Sequence, residues 1–457
     1  MINFTPRLDW KNKDEGEPET IVYKEDLLRY ETALKALADE SNTGRLSEDR
    51  LGGLTNTRAT REGALTIFLG DSITQNLNTL TDPNQPLLGE SFATLVSMMS
   101  GQRILYARNA GVTNNTVQDA AARLYKDVIA YRPDRCVVLL GTNNTNQALP
   151  TISDTMIAYE RDIIEPLLSA GIEPIVCTVP PRNGVRTTEP ATYRRQARWN
   201  AFIRSVAAKH RLLMVDIHAL MVDPATGDYK AGFTGDGVHP NKAGYKEMSN
   251  GFVNFSIYKY MNVPSAPLER DRYSIVSLAP NPLFLEGLGG SGNVLPTGWT
   301  GSTTGITVSF DDAYDGDPNS AGKWFNIEKT DAATTKNVNW VKSLASLATA
   351  GNPVAVGDRI AWGFKYKLTA GTDATTYLTV ALRYTDSGGA NVKIVTPMNQ
   401  FQMETDGAVY YESVVPAGCA NLRFDVSFST ASLQTFSISQ MTARNLTGMG
   451  VAPLTRP

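Results

Sequence analysis

Five short apolar runs separated by stretches of helical pattern constrain this chain most. They are Leu65–Leu69, Ile104–Ala107, Cys136–Leu140, Ile175–Val179 and Leu212–Val215. Each is too short for a buried helix and is built from residues that suit a pleated surface. Between them, Val117–Ala130, Thr155–Ser169 and Tyr193–Lys209 read as helices. Strands that alternate with helices require right-handed crossovers, and therefore a parallel sheet covered on both faces. Ligands of such sheets collect at the C-terminal ends of the strands.

Those ends carry unusual residues. The first run stops at Gly70-Asp71-Ser72, where a strand hands over to the start of a helix and its unpaired backbone donors. Taken alone, Asp71 or Ser72 could be no more than a helix cap. Asn109-Ala110-Gly111 closes the second run, Gly141-Thr142-Asn143-Asn144 follows the third, and Asp236-Gly237-Val238-His239-Pro240 lies beyond the fifth. Asn and Gly after a strand also form ordinary turns.

Serine becomes a nucleophile only when a neighbouring base takes its proton, and imidazole does this near neutral pH. The chain has three histidines. His210 falls at a polar helix end and His218 follows a strand-like run, whereas His239 sits in a loop with a carboxylate three residues back. That separation lets Asp236 fold onto the imidazole N–H facing away from the serine and hold the useful tautomer. Acyl transfer also places negative charge on a carbonyl oxygen, and a backbone N–H beside a glycine together with an Asn amide would stabilise it.

The four segments, in this order, resemble the SGNH (GDSL-type) hydrolases over residues from about 62 to 260. The resemblance implies a flavodoxin-like, three-layer α/β domain with Ser72 as nucleophile, His239 as base and Asp236 orienting it. It further implies an oxyanion hole formed by the Ser72 and Gly111 backbone N–H groups and the Asn143 side chain, with no metal or other cofactor. Two positions depart from the family pattern: Asn144 stands where Asp is usual, and Gln75-Asn76 where a Gly is common.

Cations and aromatics gather in Pro180–Arg186 and Tyr193–Trp199, so Arg182 and Arg186 are candidates to hold an acidic sugar. An exposed loop and a solvated helix face would have the same composition.

At 457 residues with 42% hydrophobic content, the chain can hold two or three cored domains. Its net charge of −3 provides no field to draw nucleic acid. Three scattered cysteines do not make a disulfide or metal framework. Neither a signal peptide nor a membrane-spanning segment is expected, and so no membrane insertion.

Residues 1–60 read as a separate attachment or oligomerisation segment. Tyr23, Leu27, Tyr30, Leu34 and Leu37 form a coiled-coil-like seam too short to be stable alone. This opening resembles the N-terminal stretches of bacteriophage tail proteins, through Trp10 and the helix start at Glu25-Asp26-Leu27. That likeness implies a virion location, phage tail or baseplate partners and a homotrimer. Residues 61–262 would be the hydrolase domain.

From 263 to 457, after the linker-like Val263–Pro267, short alternating runs such as Ile306–Phe310, Arg359–Tyr366 and Asn421–Phe428 read as an antiparallel sandwich. It resembles the jelly-roll carbohydrate-binding modules through Asn281–Phe284, Pro296–Trp299 and Phe436–Ala443. Trp299, Trp324, Trp340 and Trp362 could stack on sugar rings, although core packing is the usual task of a sandwich tryptophan.

The expected function is therefore a serine esterase that removes O-acyl groups, O-acetyl foremost, from a bacterial capsule or O-antigen. The alternatives are a non-catalytic sugar-holding tail protein and a cellular carbohydrate esterase or lipase.

Overall fold

The computed structural model describes residues 64–75, 91–146, 152–254, 277–286, 294–313, 321–369, 378–401, 403–430 and 434–447. The chain divides into Met1–Thr60 and a compact unit, Arg61–Pro457. The expected N-terminal seam and the Val263–Pro267 linker lie outside the described residues.

The five expected runs become β1 (Ala64–Gly70), β2 (Ile104–Gly111), β3 (Arg135–Leu139), β4 (Glu173–Cys177) and β5 (Leu213–Val215). They pair in the order β2-β1-β3-β4-β5, every pairing parallel. β1 therefore lies inside the sheet, between β2 and β3, which explains why Ile67, Phe68 and Leu69 are wholly buried. Burying a side chain of this size stabilises the fold by roughly 1.5–3 kcal/mol.

Helices cover the sheet. Val117–Asp127 opens with a capping box in which Thr116 and Asp119 satisfy each other's backbone N–H groups. The expected helix at 155–169 begins at Ile152 and runs to Ser169, with a π-helical turn at Glu160–Ile164. Pro190–His210 is a single helix with Pro in its first turn, where the missing N–H costs nothing. Cys136 and Cys177 are fully buried, as small hydrophobes are.

Ten further strands follow: β6 (Thr300–Gly301), β7 (Ile306–Asp312), β8 (Lys323–Lys329), β9 (Lys336–Ser343), β10 (Arg359–Leu368), β11 (Leu378–Thr385), β12 (Asn391–Phe401), β13 (Thr405–Val414), β14 (Asn421–Phe428) and β15 (Thr435–Asn445). They form two antiparallel sheets, β13-β10-β15-β8-β7 and β12-β11-β14-β9-β6. Rings from both sheets meet in one core: Phe424 of β14 packs edge-on against Trp362 and Phe364 of β10.

The α/β part and the antiparallel part also touch. Leu65 of β1 and Leu105 of β2 join Ala361, Ala408, Tyr410 and Leu446 in a buried cluster. The buried Gln102 side chain donates to the Ala408 carbonyl at 2.7 Å.

Candidate active site

The corner after β1 is set by close approach. A Cβ on Gly70 would lie 2.7 Å from the Leu139 carbonyl oxygen of β3, which leaves no room for a side chain. Asp71 then turns inward and its Oδ1 accepts the Ile73 N–H at 3.0 Å, so the capping role weighed for this pair belongs to Asp71. Ser72 is left facing outward at the start of the short helix Ser72–Gln75, its backbone N–H without a partner among the described residues.

His239 reaches this serine from a loop braced on several sides. Ser72 Oγ and His239 Nε2 are 2.9 Å apart. On the other side of the ring, His239 Nδ1 meets Asp236 Oδ2 at 2.7 Å. Asp236 Oδ1 accepts the backbone N–H groups of Val238 and His239, at 2.8 and 2.7 Å. The Tyr229 hydroxyl donates to the Val238 carbonyl at 2.8 Å, and the Asn183 N–H to the Gly237 carbonyl at 2.9 Å. The histidine loop is thus pinned to the segment that follows β4.

Two carboxylates near the ring are pushed in opposite directions. Partial burial works to raise the pKa of Asp236, but the hydrogen bonds from His239 and Val238 outweigh it and hold the group well below the usual carboxylate range. Asp71 is completely buried, and burial pushes its pKa up to about 6 against the Ile73 hydrogen bond and the nearby His239. The neighbouring Thr142 hydroxyl favours the charged form, but too weakly to offset the burial. The exposed, hydrogen-bonded carboxylate is the one equipped to remain charged against the imidazole.

The loop from Val112 to Asn115 is laced to both the serine helix and Asn143. Gln75 Oε1 accepts the Thr113 N–H and hydroxyl, each at 2.5 Å, and the Asn109 amide donates to the Thr74 carbonyl at 2.7 Å. Asn143 Nδ2 donates to the Asn115 carbonyl at 2.9 Å, leaving its second amide hydrogen available.

One expected donor is corrected here. The Gly111 N–H is already committed to the Asn109 side-chain oxygen at 2.9 Å, so it is not free to meet an oxyanion. Glycine is needed at 111 for a different reason: a Cβ there would sit 2.3 Å from the Gln75 nitrogen. The sequence reading missed Asn114. It lies between the two tethered residues with a left-handed φ of 63°, and its N–H has no partner among the described residues. An Asn flanked by Thr and Asn just past a strand end was the available signal, since Asn tolerates that conformation.

The two departures from the family pattern also find roles. Asn144 Oδ1 accepts the Val117 N–H at 2.9 Å while its amide donates to Gln118 at 3.1 Å. Gln75 supplies the acceptor that holds Thr113.

Among the substrate candidates, half-buried Arg182 makes no hydrogen bond or ion pair among the described residues and adjoins Asn183, which braces the histidine loop. Arg186 is exposed and donates from Nη1 to the Ala225 carbonyl at 2.9 Å, with its other guanidinium donors still available. Trp299 is a clear correction. It is 6% exposed and packed among Phe284, Phe325 and Phe424, so its faces are covered by protein. Trp340 and Trp362 are equally buried, and Trp324 has Lys367 over its ring at 4.3 Å.

Comparison with known proteins agrees with this geometry. Residues 68–247 match the GDSL-like Lipase/Acylhydrolase family. This segment is a GDSL-type acylhydrolase domain. The acylhydrolase domain is 25% identical over 207 residues to a protein named acetylxylan esterase from Geobacillus stearothermophilus, covering 42% of this chain and 93% of that one. Among solved structures, a catalytic mutant of an acetylxylan esterase from the same organism matches with 22% identity, 42% of this chain, 94% of that chain and a TM-score of 0.35. The enzymatically active domain of tailspike protein 4 from bacteriophage CBA120 matches with 15% identity, 37% of this chain, 21% of that chain and a TM-score of 0.28. No helix among the described residues is long and apolar enough to cross a membrane.

Proposed function

We propose that this protein is a serine esterase that removes O-acetyl groups from a bacterial surface polysaccharide, as part of a phage tail receptor-binding protein. The observation that carries the reading is the relay from Ser72 through His239 to Asp236, at 2.9 and 2.7 Å. A protein that only held sugar would have no need of an oriented base behind a serine.

The chemistry runs in two halves. His239 Nε2 takes the Ser72 proton as Oγ bonds to the acetyl carbonyl carbon, and Asp236 stabilises the resulting imidazolium. The Ser72 and Asn114 N–H groups and the Asn143 amide meet the oxygen that gains negative charge. Collapse expels the sugar oxygen, which takes the proton from His239, and leaves Ser72 acetylated. Water, deprotonated by the same imidazole, then releases acetate and regenerates the hydroxyl.

The side chains of His239 and Asp236 are 43% and 56% exposed, an open setting that suits a small acyl group on a bulky polar polymer. The acetylxylan esterase match supports the same substrate class. Arg182 would meet an acidic sugar beside the ester. The phage setting and a trimeric assembly rest on the likeness of residues 1–60 to tail-protein openings, and we read the two C-terminal sheets as a jelly roll that engages carbohydrate through residues other than the four tryptophans.

The test is treatment of purified capsule, O-antigen and acetylated xylan, followed by mass spectrometry for loss of acetyl. Wild type should remove acetyl from at least one polymer while Ser72→Ala removes none. Failure on all three, and on p-nitrophenyl acetate, would refute the esterase reading. Antibody labelling of virion tails in negative stain, and a trimer mass by light scattering, would separately test the phage setting.

A further inference from the structure

On the polar face of the helix Val117–Asp127, the Arg123 guanidinium reaches under the site and joins four segments at once. Its Nη2 donates to the Gly70 carbonyl at 3.0 Å, the last residue of β1 before Asp71 and Ser72. Its Nη1 donates to the Ala110 carbonyl of β2 at 2.7 Å and to Asp127 Oδ2 at 2.9 Å. Its Nε donates to the Asn115 side-chain oxygen at 2.7 Å. The side chain is only 16% exposed, and Asp127 is held from its far side by Arg108.

These partners are the frame of the catalytic groups. Gly70 sets the exit direction of the serine helix. Asn115 receives Arg123 on its side chain and Asn143 on its backbone carbonyl, so one residue couples the guanidinium to the oxyanion amide. Asn114, whose N–H has no partner among the described residues, lies between Thr113 and this doubly held Asn115. Only a planar fork with donors on all three nitrogens can span two strand-end carbonyls, an amide and a carboxylate together; an ammonium cannot.

We propose that Arg123 is a positioning residue for the hydrolase reaction: it fixes the distance between the Ser72 elbow and the loop carrying Asn114 and Asn143. The proposal rests on the serine-esterase reading. Misplacement of a catalytic group by about 1 Å can cost on the order of 10²-fold in rate. Substrate binding, by contrast, does not pass through Arg123, which lies beneath the strand ends.

The experiment compares wild type, Ser72→Ala, Arg123→Lys, Arg123→Ala and Asn115→Ala in p-nitrophenyl acetate turnover, with near-ultraviolet circular dichroism to measure the folded fraction. Wild-type turnover that Ser72→Ala abolishes establishes the reaction; its absence would sink the esterase reading and not bear on Arg123. Given that turnover, Arg123→Lys should lose roughly 10²-fold in kcat with KM within about threefold of wild type. Arg123→Ala should regain part of its kcat with millimolar guanidinium and none with ammonium. Asn115→Ala, which removes only the Nε partner, should lose roughly tenfold in kcat and decides the matter if neither Arg123 variant folds. The proposal is overturned if Arg123→Lys, or Asn115→Ala in that event, keeps kcat within about threefold of wild type. Losses that merely follow the folded fraction would overturn it as well.

Discussion

Replacing Asp236 by Asn tests the histidine's orientation more sharply than deleting it. Asp236 Oδ1 accepts two backbone N–H groups, at 2.7 and 2.8 Å, while Oδ2 faces His239 Nδ1 at 2.7 Å. In Asp236→Asn the amide oxygen must keep the first position, because an NH2 group there would oppose two donors. The NH2 group therefore faces Nδ1, which has to become an acceptor. The ring proton moves to Nε2, and that nitrogen, 2.9 Å from Ser72 Oγ, can no longer take the serine proton. In serine triads an enforced wrong tautomer costs roughly 10⁴-fold in turnover, or about 5 kcal/mol in the barrier. KM and thermal stability should stay near wild type, since both turn-forming hydrogen bonds survive. Asp236→Ala loses those bonds too and should melt lower than Asp236→Asn. The assay is steady-state p-nitrophenyl acetate hydrolysis with melting curves in parallel. A loss of kcat below about tenfold in Asp236→Asn would refute the reasoning.

Three other perturbations have defined outcomes. Asn143→Ala should lower kcat by roughly 10²–10³-fold with the protein still folded, and an unchanged kcat would remove it from the oxyanion hole. Gly111→Ala forces a Cβ to within 2.3 Å of the Gln75 nitrogen, so it should lower the melting temperature and activity together; normal values of both would show that the loop yields freely. Asp71, with its pKa raised by burial from 3.8 to about 6, favours its neutral form in the fold. Its contribution to stability is fully present below about pH 4 and is lost as pH rises through about 6, a change of at most about 3 kcal/mol. Asp71→Asn keeps the acceptor for Ile73 and should lack that slope, so urea unfolding should find it gaining on wild type from pH 4 to 8; a constant difference would contradict the assignment.

The parallel sheet was legible because its strands are buried on both faces and so read as unbroken apolar runs, from Leu65–Leu69 to Leu212–Val215. Ser72 drew attention at the end of its strand, and Asp236 and His239 through their spacing of three in a loop, and the fold brings the three within hydrogen-bond reach. Gly111 was misassigned because its N–H is claimed by a side chain two residues away, a local folding-back of Asn109 that spacing does not reveal. The sequence around Trp299 does not reveal that Phe284, Phe325 and Phe424 will cover its faces, and that covering decides between core and platform. Strands such as Lys323–Lys329 and Asn391–Phe401 escaped notice because Lys, Asn and, in the latter, Pro397 dilute the apolar pattern. Arg123 looks like any polar residue of an amphipathic helix until the carbonyls above it are placed.

The most direct test of the central claim is the acyl-enzyme itself. Wild type quenched during turnover of p-nitrophenyl acetate, or labelled with a fluorophosphonate, should carry one added group that peptide mass spectrometry locates on Ser72, and His239→Ala should acquire it far more slowly. A wild-type protein that turns over ester while Ser72 remains unmodified, or that labels at the same rate without His239, would contradict the account.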